Sequence, residues 1–281
     1  MVALPLLVAL ALDPTAFDYD RSRPTAIETR SDAVEQHARV RDITFAGASG
    51  GRTAAYLVTP VKGRKGPGIL FVHWYEPEAK DSNRTQFLAQ AIELARGRAT
   101  SLLVEPMWSD PEWFPKRRRA DDYANSIREV KELRWALDVL MAQHGVDPKR
   151  IAYVGHDFGA MYGAVLAGVD KRPRAWALQA GTTSFSHWYL LGEKLDAAAK
   201  QKVIDTLAPL DPAAHIGKAA PSPILLQFAR KDPYVTEARA RDFFAAAGEP
   251  KTMLWYEAGH GLNEQAVRDR QAWLKKALRI R

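Results

Sequence analysis

The chain has 281 residues, of which 47% are hydrophobic and 26% are charged. This balance is typical of a globular protein with a substantial core, and it excludes a disordered tail, a collagen-like fibre and a multi-span membrane protein. The chain has no cysteine and a net charge of +7, so disulfides, thiolate zinc sites and cysteine nucleophiles are excluded as well.

The basic residues are scattered among acidic ones, with one exception, the run Lys116-Arg117-Arg118-Arg119. No nucleic-acid-reading motif accompanies this run. We therefore interpret it as a solvated loop and expect no nucleic acid partner.

The N-terminal residues Val2 to Leu12 form an apolar run without charge, and Ala9-Leu10-Ala11 matches the small-x-small pattern of a signal-peptidase site. The run is too short to span a bilayer, so we expect no membrane span. We favour an export signal at residues 1–11 over an apolar segment packed on the domain, and we treat 12–281 as a single domain. The sequence leaves open whether the protein is exported (periplasmic or secreted) or cytoplasmic.

The first predicted elements form a β-hairpin. Residues 40–45 and 53–58 alternate between apolar and polar side chains, and a glycine-rich turn at 47–51 joins them. Residues 68–73 form a continuous apolar run, which is typical of a strand buried on both faces. Strands and helices then alternate, with helices predicted at 87–95, 123–141 and 264–278 and strands at 100–104, 151–154, 175–179, 224–228 and 252–256.

This alternation predicts the α/β class, with a mostly parallel central sheet, an antiparallel N-terminal hairpin and helices on both faces. About forty residues separate the strands at 175 and 224, which is too many for a simple crossover. Residues 184–218 carry aromatic side chains early and an Ala/Lys/Leu stretch later. We predict that they form a short helical cap over the carboxyl edge of the sheet.

One turn carries most of the chemical information. The predicted strand at 151–154 runs directly into Gly155-His156-Asp157-Phe158-Gly159, and a helix follows. Glycines two positions before and after a central residue, in a strand–turn–helix, are typical of a nucleophile elbow. The central side chain then stands above the sheet edge beside backbone N–H groups at the helix N-terminus. Here that residue is Asp157, and His156 is expected to point away from it into packing.

With this turn in place, the chain resembles the α/β-hydrolase superfamily from the hairpin at Val40 to the last helix. The superfamily orders its catalytic residues along the chain as nucleophile, acid and histidine. Asp232 in Arg230-Lys231-Asp232-Pro233 and His260 in Ala258-Gly259-His260-Gly261 each follow a predicted strand. The resemblance therefore implies a catalytic triad of Asp157, Asp232 and His260.

An aspartate nucleophile favours a particular reaction. A carboxylate with an ordinary pKa of about 4 is ionised near neutrality and can attack without a base. Attack on an ester would give a mixed anhydride, whereas attack on a saturated carbon with a leaving group gives a stable alkyl ester. His260 would then activate the water that hydrolyses this ester, with Asp232 orienting its ring.

In this chemistry the elbow resembles those of haloalkane dehalogenases and epoxide hydrolases, which implies a haloalkane, haloacid or epoxide substrate. The short cap and the opening hairpin look closer to dienelactone-hydrolase-like esterases, whose elbows carry Ser or Cys. An esterase relative of that kind, and a non-catalytic protein on the same scaffold, remain the alternatives. The presence of both Asp232 and His260 favours an enzyme.

The remaining site residues are expected around the elbow. Backbone N–H groups of Trp74 and Phe158 are predicted to form the oxyanion hole. No histidine pair has metal-ligand spacing, so the sequence predicts neither a metal nor any other cofactor, only a small-molecule substrate. The oligomeric state stays open. The residues predicted to line the substrate pocket are His73, Tyr75, Trp108, His187, Trp188 and Tyr189.

Overall fold

The structure is a computed structural model that describes residues 12–62 and 65–280. The predicted export signal at 1–11 lies outside the described residues. None of the helices within the described ranges combines the length and the apolar character that crossing a membrane would require.

A nine-stranded mixed sheet runs through the described part of the chain. The strands are β1 (Glu28–Glu35), β2 (Ala38–Ala46), β3 (Arg52–Pro60), β4 (Gly66–Val72), β5 (Thr100–Val104), β6 (Val146–His156), β7 (Pro173–Gln179), β8 (Ile224–Ala229) and β9 (Lys251–Tyr256). Their order across the sheet is β1-β2-β3-β5-β4-β6-β7-β8-β9. The pairings from β1 to β5 are antiparallel, and those from β5 to β9 are parallel.

The helices of the described residues are α1 (Leu88–Arg96), α2 (Trp113–Lys116), α3 (Asp122–Met141), α4 (Phe158–Val169), α5 (Ser186–Tyr189), α6 (Ala197–Leu207), α7 (Pro212–His215), α8 (Glu237–Ala246) and α9 (Glu264–Leu278). Alternate residues of the buried strand β4 point to opposite faces, as the strand pleat requires. Ile69 packs in the core beneath α1 and α9, and Leu70 packs in the core beneath α3 and α4. Helices therefore cover both faces of the sheet, as the sequence predicts.

The predicted hairpin is confirmed, since β2 and β3 pair in a continuous antiparallel register that places Ile43 opposite Ala55. The edge strand β1 was not predicted. All eight of its residues are exposed, so the segment lacks the apolar alternation by which a half-buried strand is recognised.

The segment 184–218 is largely helical, and its beginning lies at the carboxyl edge of the sheet. Trp188 of α5 contacts the elbow there, with its ring centroid 6.0 Å from that of Phe158. Further along, Leu207, Leu210 and Ile216 are buried in the core that α4 shares. The later part of the predicted cap therefore packs along α4, where its apolar side chains are buried away from water.

The basic run departs from the predicted solvated loop at Arg117, whose side chain is only 5% exposed. Its guanidinium donates to the Phe114 carbonyl at 3.1 Å and to Glu193 at 3.1 Å, and it lies 3.6 Å from the buried Asp122. Each of the other three basic residues of the run also has an acidic partner within 4 Å, at Glu112, Asp121 and Glu193. The run therefore ties the start of α3 to the loop after α5.

We expect Arg117→Ala to lower the free energy of unfolding by about 3 kcal/mol, because it leaves Asp122 buried without its guanidinium partner. Arg118→Ala is the matched control. The Arg118 side chain is 78% exposed, so its loss should cost less than about 0.5 kcal/mol. Urea unfolding of the two variants beside the wild type measures both values. Equal losses in the two variants would show that the buried contact between Arg117 and Asp122 does not stabilise the protein.

Candidate active site

The turn between β6 and α4 holds Asp157 at φ +54° and ψ −115°, a conformation that is costly for a residue with a side chain. The glycines on either side are required for steric reasons. A Cβ on Gly155 would lie 2.3 Å from the Gly159 carbonyl oxygen, and one on Gly159 would lie 2.2 Å from the Val72 carbonyl oxygen. Both contacts are with backbone, which cannot move aside cheaply, so the glycine spacing is what lets this turn form.

The Asp157 carboxyl is 3% exposed, and its two oxygens have different surroundings. Oδ2 accepts a hydrogen bond from the Tyr75 backbone N–H at 3.3 Å, and the Phe158 N–H faces the same carboxylate. Oδ1 is buried and has no hydrogen-bond partner among the described residues. Burial raises the pKa of Asp157 to about 7, against the opposing effect of His260 and of these N–H groups.

The predicted oxyanion hole needs one correction. The Trp74 N–H does not face Asp157, because it donates to the side-chain oxygen of Gln86 at 3.1 Å. The next N–H along the loop, that of Tyr75, is the one that points at the carboxylate. Phe158, the other predicted donor, opens α4 directly after the elbow.

Asp232 and His260 lie together at the ends of β8 and β9. His260 Nδ1 is 2.8 Å from Asp232 Oδ2, and the side chain of Asp232 is 1% exposed. Burial alone would raise the pKa of Asp232. The hydrogen bond with His260, together with the backbone N–H groups of Tyr234 and Val235, outweighs burial and lowers that pKa. Asp232 is therefore ionised at neutral pH.

The same pair determines the state of His260. Burial lowers the pKa of its imidazole, but the hydrogen bond with Asp232 and the negative charges of Asp157 and Asp232 more than offset burial, so the pKa is raised. Because Nδ1 is engaged with Asp232, Nε2 is the nitrogen left to exchange a proton. An imidazole held in this way is equipped to act as a general base.

An aromatic wall surrounds these groups. The His260 ring stacks on Trp74 at a centroid distance of 5.7 Å, and it meets Trp188 edge-on at 5.6 Å. Phe158 lies 5.3 Å from Trp113, which continues the wall on the other side of Asp157. The members of the aromatic wall are Trp74, Tyr75, Trp113, Phe114, Phe158, Trp188 and Tyr234.

Two residues predicted to line the pocket are internal supports instead. His73 is buried, with Nδ1 2.6 Å from the Trp74 carbonyl and Nε2 2.8 Å from the Ser109 hydroxyl, and burial lowers its pKa to about 4. The buried Trp108 donates its indole N–H to the His73 carbonyl at 2.9 Å. Their polar atoms are already paired within the protein, so neither residue offers a free polar group to a substrate, and the structure places both as supports of the loop after β4.

Tyr189 is also buried, and its hydroxyl lies 2.7 Å from that of Tyr162. The Tyr189 hydroxyl is therefore engaged within the protein, and the lining of the pocket by its ring stays a prediction. Tyr75 stays at the site, but its hydroxyl donates to the Pro111 carbonyl at 2.5 Å. Trp188 and His187 keep nitrogens without partners among the described residues, at Nε1 and Nδ1 respectively.

Sequence reasoning missed Gln86, Phe114 and Tyr234. Tyr234 lies two residues after Asp232, so the motif that identifies Asp232 could also have indicated Tyr234 as a neighbour of the site. Gln86 lies on the 3-10 turn Arg84–Phe87, and no motif marks it. Within residues 12–62 and 65–280, no group of three or more potential metal-ligating side chains is close enough to hold an ion.

No family model matches the sequence, and no curated protein matches it. Solved structures do match. An acetyl xylan esterase from a Paenibacillus species has a TM-score of 0.75 at 15% identity, covering 91% of this chain and 90% of that one. For acetyl xylan esterase 1 from a Thermoanaerobacterium species the TM-score is 0.73 at 16% identity, with 93% and 91% covered. An alpha/beta hydrolase from a Penicillium species has a TM-score of 0.60 at 18% identity, with 85% and 98% covered.

These likenesses, together with the strand order, show that the chain has the α/β-hydrolase fold, and they confirm the predicted fold class. At such low identities they show the fold alone.

Asp157→Asn should raise the free energy of unfolding, because an amide brings no charge into the buried site. The folded pKa of about 7 lies above the ordinary value of 3.8, so between these pH values the folded protein binds more protons than the unfolded chain. The contribution of this carboxyl to stability is therefore lost as the pH rises through this window. The advantage of Asp157→Asn should grow from about pH 4 to about pH 7 and then stay constant.

Asp232→Asn is the matched control with the opposite sign. Because the folded pKa of Asp232 is lowered, its charge stabilises the protein above the unfolded pKa, and the amide should destabilise the protein at neutral pH. Urea unfolding of both variants over a pH series measures the two trends. A pH-independent effect of Asp157→Asn would contradict the raised pKa.

Proposed function

We propose that this protein is a hydrolase that forms an alkyl-enzyme ester on Asp157 and releases it with His260 and Asp232. The observation that carries the proposal is the division between the two carboxylate oxygens. Oδ2 is held by the Tyr75 N–H, while Oδ1 is buried and has no hydrogen-bond partner in the described part of the chain. An oxygen without hydrogen bonds in a site from which water is largely excluded is suited to attack an electrophile.

In the first step, Oδ1 of the ionised Asp157 attacks a saturated carbon, and the bond from that carbon to its leaving group breaks. The electron pair departs with the leaving group, and no proton has to move. The pKa of about 7 supports activity from neutral pH upwards, because only the ionised carboxylate attacks.

In the second step, His260 Nε2 removes a proton from a water molecule whose oxygen attacks the ester carbon Cγ of Asp157. The negative charge that develops on Oδ2 lies beside the Tyr75 N–H, and the Phe158 N–H faces the same carboxylate. The Cγ–Oδ1 bond then breaks, and the alcohol leaves with Oδ1 and with the proton from His260. Asp232 stabilises the imidazolium in the interval.

The surroundings of Asp157 support a small, neutral and apolar substrate. The aromatic wall offers apolar surface, and Arg117, whose guanidinium lies over the Phe114 ring, has its charge already paired with Glu193. An anionic haloacid would meet the negative charge of the ionised Asp157. We therefore favour a haloalkane over a haloacid.

The leaving group supports a halide over an epoxide oxygen. An epoxide oxygen needs a proton donor, and the hydroxyls of Tyr75 and Tyr189 are engaged within the protein. A halide needs only N–H donors on an apolar frame. The buried indole N–H of Trp188 has no partner among the described residues and could serve as such a donor.

A carboxylester hydrolase is the second candidate, because two of the solved structures that share this fold are named as acetyl xylan esterases. A panel of haloalkanes, haloacids, epoxides and p-nitrophenyl esters separates the candidates by release of halide, diol or phenolate. Halide release from haloalkanes is the expected result. Ester hydrolysis without action on halides or epoxides would favour the esterase, and inactivity on the whole panel would favour a non-catalytic protein.

His260→Gln should accumulate a covalent adduct, because alkylation needs no base whereas hydrolysis of the ester does. The hydrolytic step should slow by orders of magnitude. Intact-protein mass spectrometry after incubation with a substrate detects the adduct, and peptide mapping should place it on Asp157. Asp157→Ala is the control and should show neither adduct nor turnover. A His260→Gln protein that stays unmodified by every substrate of the wild type would exclude the two-step mechanism.

A single turnover in water labelled with heavy oxygen should give an unlabelled alcohol, since the alcohol takes its oxygen from Oδ1 of Asp157. The label should appear in the peptide that contains Asp157. If Asp157 instead acted as a base for direct attack of water on the substrate, the alcohol would carry the label in the first turnover. Mass spectrometry of the alcohol and of the peptide distinguishes these outcomes.

A further inference from the structure

His156, the last residue of β6, connects loops of the candidate active site through both of its ring nitrogens. It is fully buried, with its ring centroid 4.5 Å from that of Trp74. Nε2 lies 3.0 Å from the carbonyl oxygen of His260, and Nδ1 lies 2.6 Å from the side-chain nitrogen of Gln86. The side-chain oxygen of Gln86 accepts the Trp74 N–H at 3.1 Å. These bonds form a continuous chain, which we call the Gln86–His156 bridge.

The partners determine where each proton of the Gln86–His156 bridge lies. A carbonyl oxygen can only accept, so Nε2 of His156 carries a hydrogen and donates it to His260. A backbone N–H can only donate, so the Gln86 oxygen faces Trp74 and its NH₂ group faces Nδ1. Nδ1 therefore accepts, and His156 is neutral with its proton on Nε2. A second proton, on Nδ1, would point at the NH₂ group and break the bridge.

Burial and two ionisable neighbours favour this neutral form. His260 lies beside His156 with the ring centroids 5.2 Å apart, and Arg270 is buried on α9. Burial lowers the pKa of His156 well below its ordinary value, and the proximity of His260 and Arg270 lowers it further. The hydrogen-bond acceptors of Arg270 are the neutral side-chain oxygens of Gln90, Gln179 and Gln227.

We propose that Gln86 and His156 are positioning residues, which hold the backbone of His260 and the loop that carries the Tyr75 N–H in fixed positions relative to Asp157. The catalytic part of this inference rests on the proposed function. His156 directly precedes Asp157 in the chain, so the bridge joins the elbow to the loops on either side of it. Neither residue reaches the reacting atoms, since both ring nitrogens of His156 are engaged within the protein.

NMR of the histidine rings in ¹⁵N-labelled protein tests the bridge without any substrate. One ring, identified by its loss in His156→Phe, should keep the Nε2–H tautomer from about pH 5.5 to about pH 8.5. Gln86→Leu should shift the ring resonances of both His156 and His260. Gln143→Leu is the matched control, because Gln143 is also half-buried but bonds to the Val139 carbonyl at the end of α3.

Kinetics test the catalytic part. Gln86→Leu and His156→Phe should slow hydrolysis of the Asp157 adduct about 10- to 100-fold, the size of effect expected when a catalytic group loses its outer support. In steady-state turnover kcat and KM should fall together while kcat/KM stays close to that of the wild type, because kcat/KM reports binding and alkylation and not hydrolysis of the adduct. His156→Gln, which can both donate and accept, should recover part of the rate. Gln143→Leu should match the wild type.

The outcomes separate the two proposals. A His156 ring that titrates in this pH range, or that carries its proton on Nδ1, overturns the bridge whatever the protein catalyses. Unchanged His260 resonances in Gln86→Leu overturn the positioning role, as does adduct hydrolysis at the rate of Gln143→Leu. A wild type without turnover on any substrate, or a His260→Gln protein that forms no adduct on any of them, overturns the proposed function alone, and the NMR result still decides on the bridge.

Discussion

The site depends on one backbone turn that has no room for a side chain on either flank. A Cβ on Gly155 would collide with the Gly159 carbonyl, and one on Gly159 would collide with the Val72 carbonyl. The Tyr153 hydroxyl donates to the Gly159 carbonyl at 2.7 Å, and the Asp157 N–H donates to the Gln179 carbonyl at 2.9 Å. These bonds fix the backbone of the turn, which holds the Asp157 side chain in a buried position. The raised pKa of Asp157 and the orientation of its two oxygens both follow from that constraint.

Asp157 and Asp232 are both buried, yet the pKa of one is raised and that of the other is lowered. Asp232 accepts two backbone N–H bonds and the His260 bond, which together stabilise its charge. Asp157 accepts one hydrogen bond, from the Tyr75 N–H to Oδ2, and its Oδ1 has no hydrogen-bond partner among the described residues. Two carboxyls whose environments push their pKa values apart are suited to different roles. Asp232, whose charge is stabilised by hydrogen bonds, suits an orienting group. Asp157, whose charge has fewer such bonds, suits a nucleophile.

The sequence predicted what depends on spacing and missed what depends on side-chain direction. The glycine interval located the elbow, and continuous apolar runs located buried strands such as β4. Spacing could not tell which N–H of the loop after β4 faces Asp157, because the Gln86 side chain decides this by taking the Trp74 N–H. Nor could it show that the Tyr189 hydroxyl turns inward to Tyr162. Hydrogen bonds between residues that are distant in the sequence determine these side-chain directions, so a local sequence pattern cannot predict them.

The occupied oxyanion hole also bears on the choice between ester and alkyl substrates. In the resting protein, Oδ2 of Asp157 accepts the Tyr75 N–H that an ester carbonyl oxygen would need. An ester entering this site therefore meets a hole that is already filled, and its carbonyl is left without donors. A saturated carbon with a leaving group makes no such demand, since its reaction with Oδ1 places no new charge in the hole. In the proposed mechanism the hole would be needed only afterwards, when water attacks Cγ and the charge develops on the oxygen that is already bound there.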